Sequence, residues 1–331
     1  MLSLLLLLGL VALPLPSRAA TTCSASMSDI VFGDVNPFGT HVDVQATLNY
    51  SCSSSGILGL GLLGARARLC FSIGIGTQGT ALDPRRMASG ANGLLFNLYK
   101  TSARNTIWGT RSDSYGAVET TMDVPVTLGS GSANGSLTVY GRVPASQISL
   151  VPGNYASAFS GSHTQLAYRY NEGLLNLTTT PASCASGGSG GGTGTFAFNA
   201  QASVSKRCVP NFAVQNIDFG TQGLLTSAID TTATISPQCT NTTPYQIGLD
   251  NGLYASGNMR RMRSGANRHV TYELYRDTGR NQRWGNTQNV DTVTATGSGS
   301  AQNVTIYGRV APQATPTAGS YSDTVTVTIT Y

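Results

Sequence analysis

The second half of this chain repeats the first. Asp29-Ile30-Val31-Phe32-Gly33 is answered by Asn216-Ile217-Asp218-Phe219-Gly220, and Arg85-Arg86-Met87-Ala88-Ser89-Gly90-Ala91-Asn92 by Arg261-Met262-Arg263-Ser264-Gly265-Ala266-Asn267. In the same order, Leu98-Tyr99 and Trp108-Gly109 find Leu274-Tyr275 and Trp284-Gly285. Tyr140-Gly141-Arg142-Val143 and Gly153-Asn154-Tyr155 find Tyr307-Gly308-Arg309-Val310 and Gly319-Ser320-Tyr321. Such a duplication implies two copies of one domain of about 125 residues, each burying its own core.

Within each copy the segments are short and alternate apolar with polar residues, as in Val42, Val44, Ala46, Leu48 and in Val325, Val327, Ile329, Tyr331. Gly, Asn, Asp and Pro clusters separate them. This is strand patterning, with no sustained helical period, and it points to an all-β chain of two tandem immunoglobulin-like β-sandwiches.

The chain opens with an almost wholly apolar run from Leu2 to Leu13, followed by Pro14, Pro16 and Ser17-Arg18-Ala19-Ala20. That pattern reads as a secretory signal peptide over 1–20, cleaved near Ala19 or Ala20. The run is too short to span a bilayer, so no transmembrane segment is expected after cleavage. No Lys or Arg precedes it, so either the leading basic region is minimal or the start codon lies upstream. Charged residues make up only 11% of the chain and the net charge is +5. The basic residues, among them Arg85, Arg86, Arg260, Arg261, Arg263 and Arg268, are expected to scatter beside turns, which gives no nucleic-acid face.

An even number of cysteines, six, in an exported chain argues for three disulfides. Sequence alone allows fifteen pairings of six cysteines. The repeat selects Cys23 with Cys52 and Cys208 with Cys239, leaving Cys70 for Cys184.

A Cys near the start, the Ile30-Val31-Phe32-Gly33 strand, a second Cys about thirty residues on, the Tyr140-Gly141-Arg142-Val143 block and the final strand from Gly319 to Tyr331 together resemble the spore coat protein U family. This is the pilin module of archaic, Csu-type chaperone-usher pili, and the resemblance covers both domains. It implies a pilin-type sandwich lacking its last strand, completed by an alternating segment from a neighbouring subunit. It also implies a periplasmic chaperone, an outer-membrane usher and an adjacent pilin as partners, and a place at the cell surface.

The domains expected are 21–207 and 208–331, the C-terminal one without its last strand. No residues remain after the Gly319 to Tyr331 strand to supply another, so domain 2 is expected to need an outside strand. Domain 1 continues through a Gly/Ser-rich loop at 185–194, read as a linker, to a segment at 195–205. Phe196, Phe198, Ala200, Ala202 and Val204 share one face of that segment. It reads as a strand that completes domain 1 in cis, or alternatively as the first strand of domain 2. Only Ala20, Thr21 and Thr22 separate the expected cleavage site from Cys23, so the mature chain is expected to accept a strand but not to donate one. That places it at the pilus tip.

Candidate binding residues lie where domain 1 exceeds domain 2. The offset between copies falls from 187 at Cys52 and Cys239 to 175 at Asn92 and Asn267. The excess falls around Gly56 to Gly64, where Ile57, Leu58, Leu60, Leu62 and Leu63 alternate with glycines in an expected exposed finger. The alternative is a loop folded back on the core. Further apolar candidates are Leu94 and Leu95, where domain 2 has Arg268 and His269, then Leu150 and Val151 with Ile148, and Leu174 and Leu175 with Leu177. The resemblance implies attachment to abiotic or apolar surfaces through such loops, and biofilm formation. Two other readings stay open: a carbohydrate-binding tip lectin using Trp108 and Tyr115, and a structural coat or shaft subunit.

Catalytic patterns find no context. Gly74 to Gly79 and Gly59 to Gly64 fit GxGxxG but open no helix, and Gly187 to Gly191 fits GxSxG only inside the Gly/Ser loop. His41, His163 and His269 lack metal-ligand spacing, and Asp113, Glu119 and Asp123 read as solvated loop acids rather than a glycosidase pair.

Overall fold

A computed structural model describes residues 20–55, 63–127 and 129–331. Domain 1 contains β1 (Ala20–Met27), β2 (Ile30–Asp34), β3 (Val42–Ser55), β4 (Leu63–Ile73), β5 (Arg85–Ser89) and β6 (Asn92–Tyr99). It continues with β7 (Val118–Pro125), β8 (Ser130–Val143), β9 (Gly153–Phe159), β10 (Thr164–Leu174), β11 (Gly190–Gly194) and β12 (Phe198–Val204). Domain 2 contains β13 (Ala213–Val214), β14 (Ile229–Ser236), β15 (Pro244–Leu249) and β16 (Arg260–Arg263). After these come β17 (His269–Tyr275), β18 (Val293–Thr296), β19 (Val304–Val310) and β20 (Val327–Thr330).

Domain 1 packs a sheet in the order β1-β3-β8-β6-β5-β9-β12-β2 against a smaller one, β11-β10-β4-β7. Domain 2 repeats the plan with β13-β14-β19-β17-β16 and β18-β15-β20. β4 shows why its residues make this layer. Ala65, Ala67, Leu69, Phe71 and Ile73 alternate into the core, while Arg66 and Arg68 point outward. There they pair with two acids on β7, Arg66 with Asp123 directly opposite and Arg68 with Glu119 on the diagonal.

The repeated residues prove to be internal fasteners. Trp108 and Trp284 are buried and donate from their indole N–H to the carbonyls of Phe71 and Ile247, each at 2.8 Å. Arg142 grips Asp43 in a bidentate pair, and Arg309 grips Asp230 in the same way. Arg85 and Arg260, each shortly after a turn, sit fully buried under the adjoining loops. Arg85 donates to the carbonyls of Ile73, Gly74 and Trp108, and Arg260 to those of Leu249, Asp250 and Trp284. Burial pushes the Arg85 guanidinium down to about 9.

The chain forms the disulfides Cys23–Cys52, Cys70–Cys184 and Cys208–Cys239. The Gly/Ser-rich segment departs from the expected linker, because Gly190–Gly194 is a strand paired along β10. Its glycines have a steric cause. Gly190 and Gly192 lie opposite Tyr170 and Tyr168, and a Cβ at either would run into the facing tyrosine ring.

Candidate functional site

Two regions stand out once the copies are superposed by their fasteners. In domain 1, β12 lies between β9, to which it is antiparallel, and β2, to which it is parallel. It buries Phe196, Phe198, Ala200, Ala202 and Val204, and the Phe198 ring stacks on Phe159 at 4.5 Å. Beneath it, Ile30, Phe32, Met87 and Tyr155 are each no more than 5% exposed.

In domain 2 the counterpart of β2 is 216–220 and that of β9 is 319–325. The equivalence extends to hydroxyls: Tyr155 donates to the Val151 carbonyl at 2.7 Å, and Tyr321 to the Thr317 carbonyl at 2.6 Å. Among the described residues no strand lies between the two segments. A cleft of about 470 Å³ occupies the position instead, lined by Ile217, Phe219, Met262, Tyr272, Tyr321 and Val325. Ile217, Phe219, Met262 and Tyr321, the counterparts of Ile30, Phe32, Met87 and Tyr155, are all partly exposed. Their apolar side chains form a stripe along the cleft, bordered by Gln215, Asn216, Ser322 and Thr324, and open where the sister domain is closed. On its floor the Tyr272 hydroxyl donates to Asp323 at 2.7 Å, and burial together with that carboxylate pushes its pKa up.

The second region is the end of domain 1 where β3 gives way to β4. Ser55 pairs with Ala20 and Ser130, Gly64 with Pro125, and Leu63 with Leu174, so Ser55, Leu63, the Thr127–Ser130 bridge and the 174–178 turn share one pole. The last turn is tied by Leu177 N–H and Thr178 N–H, both donating to the Leu174 carbonyl. Leu174 is 41% and Leu177 74% exposed, while Leu63 and Leu175 are partly exposed, with Leu175 packed over Gly64. Ile57, Leu58, Leu60 and Leu62 lie outside the described residues.

The other apolar candidates do not join this pole. Leu94, Leu95, Leu150 and Val151 sit at the opposite end, where the 144–152 loop meets domain 2 through Asn241, whose side-chain amide donates to the Ser149 carbonyl at 3.0 Å. Leu94 and Leu150 are core residues, 0% and 3% exposed. Strand register gives the reason. Leu94 faces Met87 as Val270 faces Met262, so Leu94 answers Val270 rather than Arg268 or His269. Leu95 does point outward, at 39% exposure, but its backbone is clamped at both N–H and C=O by Gln147. Gln313 clamps Thr271 identically in domain 2.

Trp108, a candidate sugar platform, is buried and unavailable. Each acid has a local partner: Asp123 pairs with Arg66, Glu119 with Arg68, and Asp113 accepts from the Thr110, Tyr115 and Gly116 backbone. Among the described residues no group of His, Cys, Asp and Glu is arranged to hold a metal, and no helix is long and apolar enough to cross a membrane.

The Spore Coat Protein U domain family matches residues 10–160 and again 194–328, one match per sandwich. The chain belongs to this family. A curated relative, Protein U of Myxococcus xanthus, is 35% identical over 164 residues, covering 47% of this chain and 83% of that protein. Among solved structures, a chain of the CsuC-CsuE chaperone-tip adhesion subunit pre-assembly complex from the archaic chaperone-usher Csu pili of Acinetobacter baumannii aligns with a TM-score of 0.51. It is 18% identical and covers 94% of this chain and 100% of that one, a likeness of fold. The second family match begins at residue 194, so it takes in β12 with domain 2 even though that strand packs in domain 1.

Proposed function

We propose that the chain is the tip subunit of an archaic chaperone-usher pilus, exported through the periplasm to the cell surface, and that it mediates attachment and biofilm formation. Domain 2 (208–331) accepts a strand, first from a periplasmic chaperone and then, at the outer-membrane usher, from the next pilin. Domain 1 (21–207) carries the adhesive pole and supplies its own last strand, β12. The observation that carries this reading is the open apolar stripe of domain 2, which matches in position and residue type the surface that β12 covers in domain 1. Strand addition satisfies both needs of such a stripe, burying alternate side chains and pairing backbone groups.

At the far pole, the exposed Leu174 and Leu177, with Leu63 and the Ile57 to Leu62 finger, offer an apolar patch suited to an abiotic or apolar surface. Burying each such side chain is worth ~1.5–3 kcal/mol before association costs, so a single tip binds modestly and many tips bind by avidity.

Immunogold labelling of piliated cells tests the placement: one particle per fibre end is expected, and label along the shaft would contradict it. Phe219→Asp with Val325→Asp should abolish incorporation into pili. Adhesion to polystyrene tests the pole: Leu58, Leu60, Leu62 and Leu63 changed to Ser should remove attachment while pili still assemble, and unchanged adhesion would defeat the apolar-finger reading.

A further inference from the structure

The outer face of the small sheet in domain 1 carries a feature that strand acceptance and apolar adhesion leave unused. β4 and β10 turn Ser72 and Gln165, a directly facing pair, away from the core. Over them, the loop through Thr110 and Arg111, the turn at Ser162 and the end of β11 at Thr193 and Thr195 enclose a cleft of about 720 Å³. This size lies within the range of small-molecule sites.

Ser72 is the decisive residue. It is 96% buried from solvent by its 4% exposure, it lines the cleft, and its hydroxyl has no hydrogen-bond partner in the chain. A buried hydroxyl left unpaired costs ~1–3 kcal/mol, unless something entering the cleft pairs with it.

Domain 2 shows the same position closed. The shared tryptophan bond to Phe71 and Ile247 equates Ser72 with Gly248 and Thr110 with Asn286. There the Asn286 side chain lies where a Cβ on residue 248 would be. Domain 1 therefore has a buried side-chain hydroxyl at the base of a cleft where its sister has a glycine covered by the Asn286 side chain.

The chemistry of the lining selects the ligand. Hydroxyls and backbone groups dominate it, no aromatic ring is among its residues, and Arg111 is its single ionisable group. Arg111 is exposed, and its Nη2 donates to Gln165 Oε1 at a long 3.4 Å. The nearest carboxylate in sequence, Asp113, is spent on its own loop, accepting from Thr110 N–H at 2.6 Å and Gly116 N–H at 3.0 Å. An exposed guanidinium, held only by a long bond to Gln165, beside a bank of hydroxyls suits a ligand with a carboxylate and several hydroxyls of its own.

We propose that this cleft is a second binding site on domain 1, taking an acidic saccharide unit. Arg111 holds the sugar carboxylate, and Ser72, Ser162, Thr193 and Thr195 exchange hydrogen bonds with ring hydroxyls. The site is separate from the apolar pole, and its test does not depend on how domain 2 is completed.

The experiment is titration calorimetry of the full chain with a glucuronate-terminated disaccharide, its glucose-terminated neutral counterpart and a sulfated counterpart. Saturable binding of the glucuronate probe is expected, at least tenfold tighter than the neutral one. Arg111→Gln, an exposed loop change that leaves the fold intact, should erase that preference. Ser72→Val should weaken every saccharide at least threefold, and adhesion to polystyrene should be unchanged in both variants. Equal affinity for charged and neutral probes, preference for the sulfated probe alone, absence of saturable binding, or a preference that survives Arg111→Gln would each overturn the proposal.

Discussion

Phe32 and Phe219 occupy the same place in the two sandwiches, follow the same Ile-x-Phe-Gly pattern and point into the same kind of core, yet Phe32 is buried and Phe219 is partly open to solvent. The difference is one strand. In domain 1, β12 closes the sheet over Ile30, Phe32, Met87 and Tyr155; in domain 2 the equivalent residues line a cleft. Two copies of one sequence plan thus make one sandwich covered by β12 and one with an open cleft at the same place, and the proposed strand acceptance rests on that difference.

The largest expected effect breaks the covered copy. Phe198→Ala removes the ring stacked on Phe159 and should destabilise domain 1 by ~3–5 kcal/mol. In denaturant unfolding of the full chain only the domain 1 transition should move. A second prediction separates the buried arginines. Arg260 is paired with Glu273, which also binds Arg283, whereas Arg85 meets the neutral Asn97 at the same position. Glu273→Ala strands a buried charge and should cost domain 2 ~3–5 kcal/mol. Asn97→Ala should cost domain 1 only ~1–3 kcal/mol.

A third prediction removes what only domain 1 possesses. The Cys70–Cys184 bridge pins the outer face of its small sheet, so Cys70→Ala with Cys184→Ala should lower domain 1 stability by ~2–4 kcal/mol and leave domain 2 unchanged.

The smallest effect should be equal in both copies. Asp43 and Asp230 are held below the ordinary Asp value of 3.8, chiefly by their bonds to Arg142 and Arg309. A depressed folded-state pKa gives stability that is present above 3.8 and lost as pH falls through the lower folded value. Asp43→Asn and Asp230→Asn should each cost no more than ~1 kcal/mol at neutral pH and flatten that acid loss, measured by melting between pH 2 and 5.

Much of this architecture is legible in the sequence because side-chain alternation and repetition are both visible there. The Phe196 to Val204 face announces a strand, and the duplicated cysteines fix two of the three bridges. What escapes has physical causes. Gly190 to Gly194 carries no alternation, since glycine has no side chain, and only the facing Tyr168 and Tyr170 explain it. Leu94 and Leu95 are chemically alike, and only register against Met87 sends one inward and one outward. Arg85 and Arg260 look like surface charges until the buried carbonyls that accept their hydrogen bonds are seen. The cleft around Ser72 has no motif at all, because it is built from four separate segments.

The measurement that bears most directly on the covered and open sandwiches is native-state hydrogen exchange of the full chain with and without a synthetic peptide of the sequence from Phe196 to Val204. Strand acceptance predicts new protection confined to the Ile217–Phe219 and Tyr321–Val327 amides. It also predicts a rise in domain 2 stability of ~2.7 kcal/mol when the peptide is at a hundred times its dissociation constant. No protection in domain 2 at saturating peptide, or protection that appears in domain 1 instead, would contradict the account.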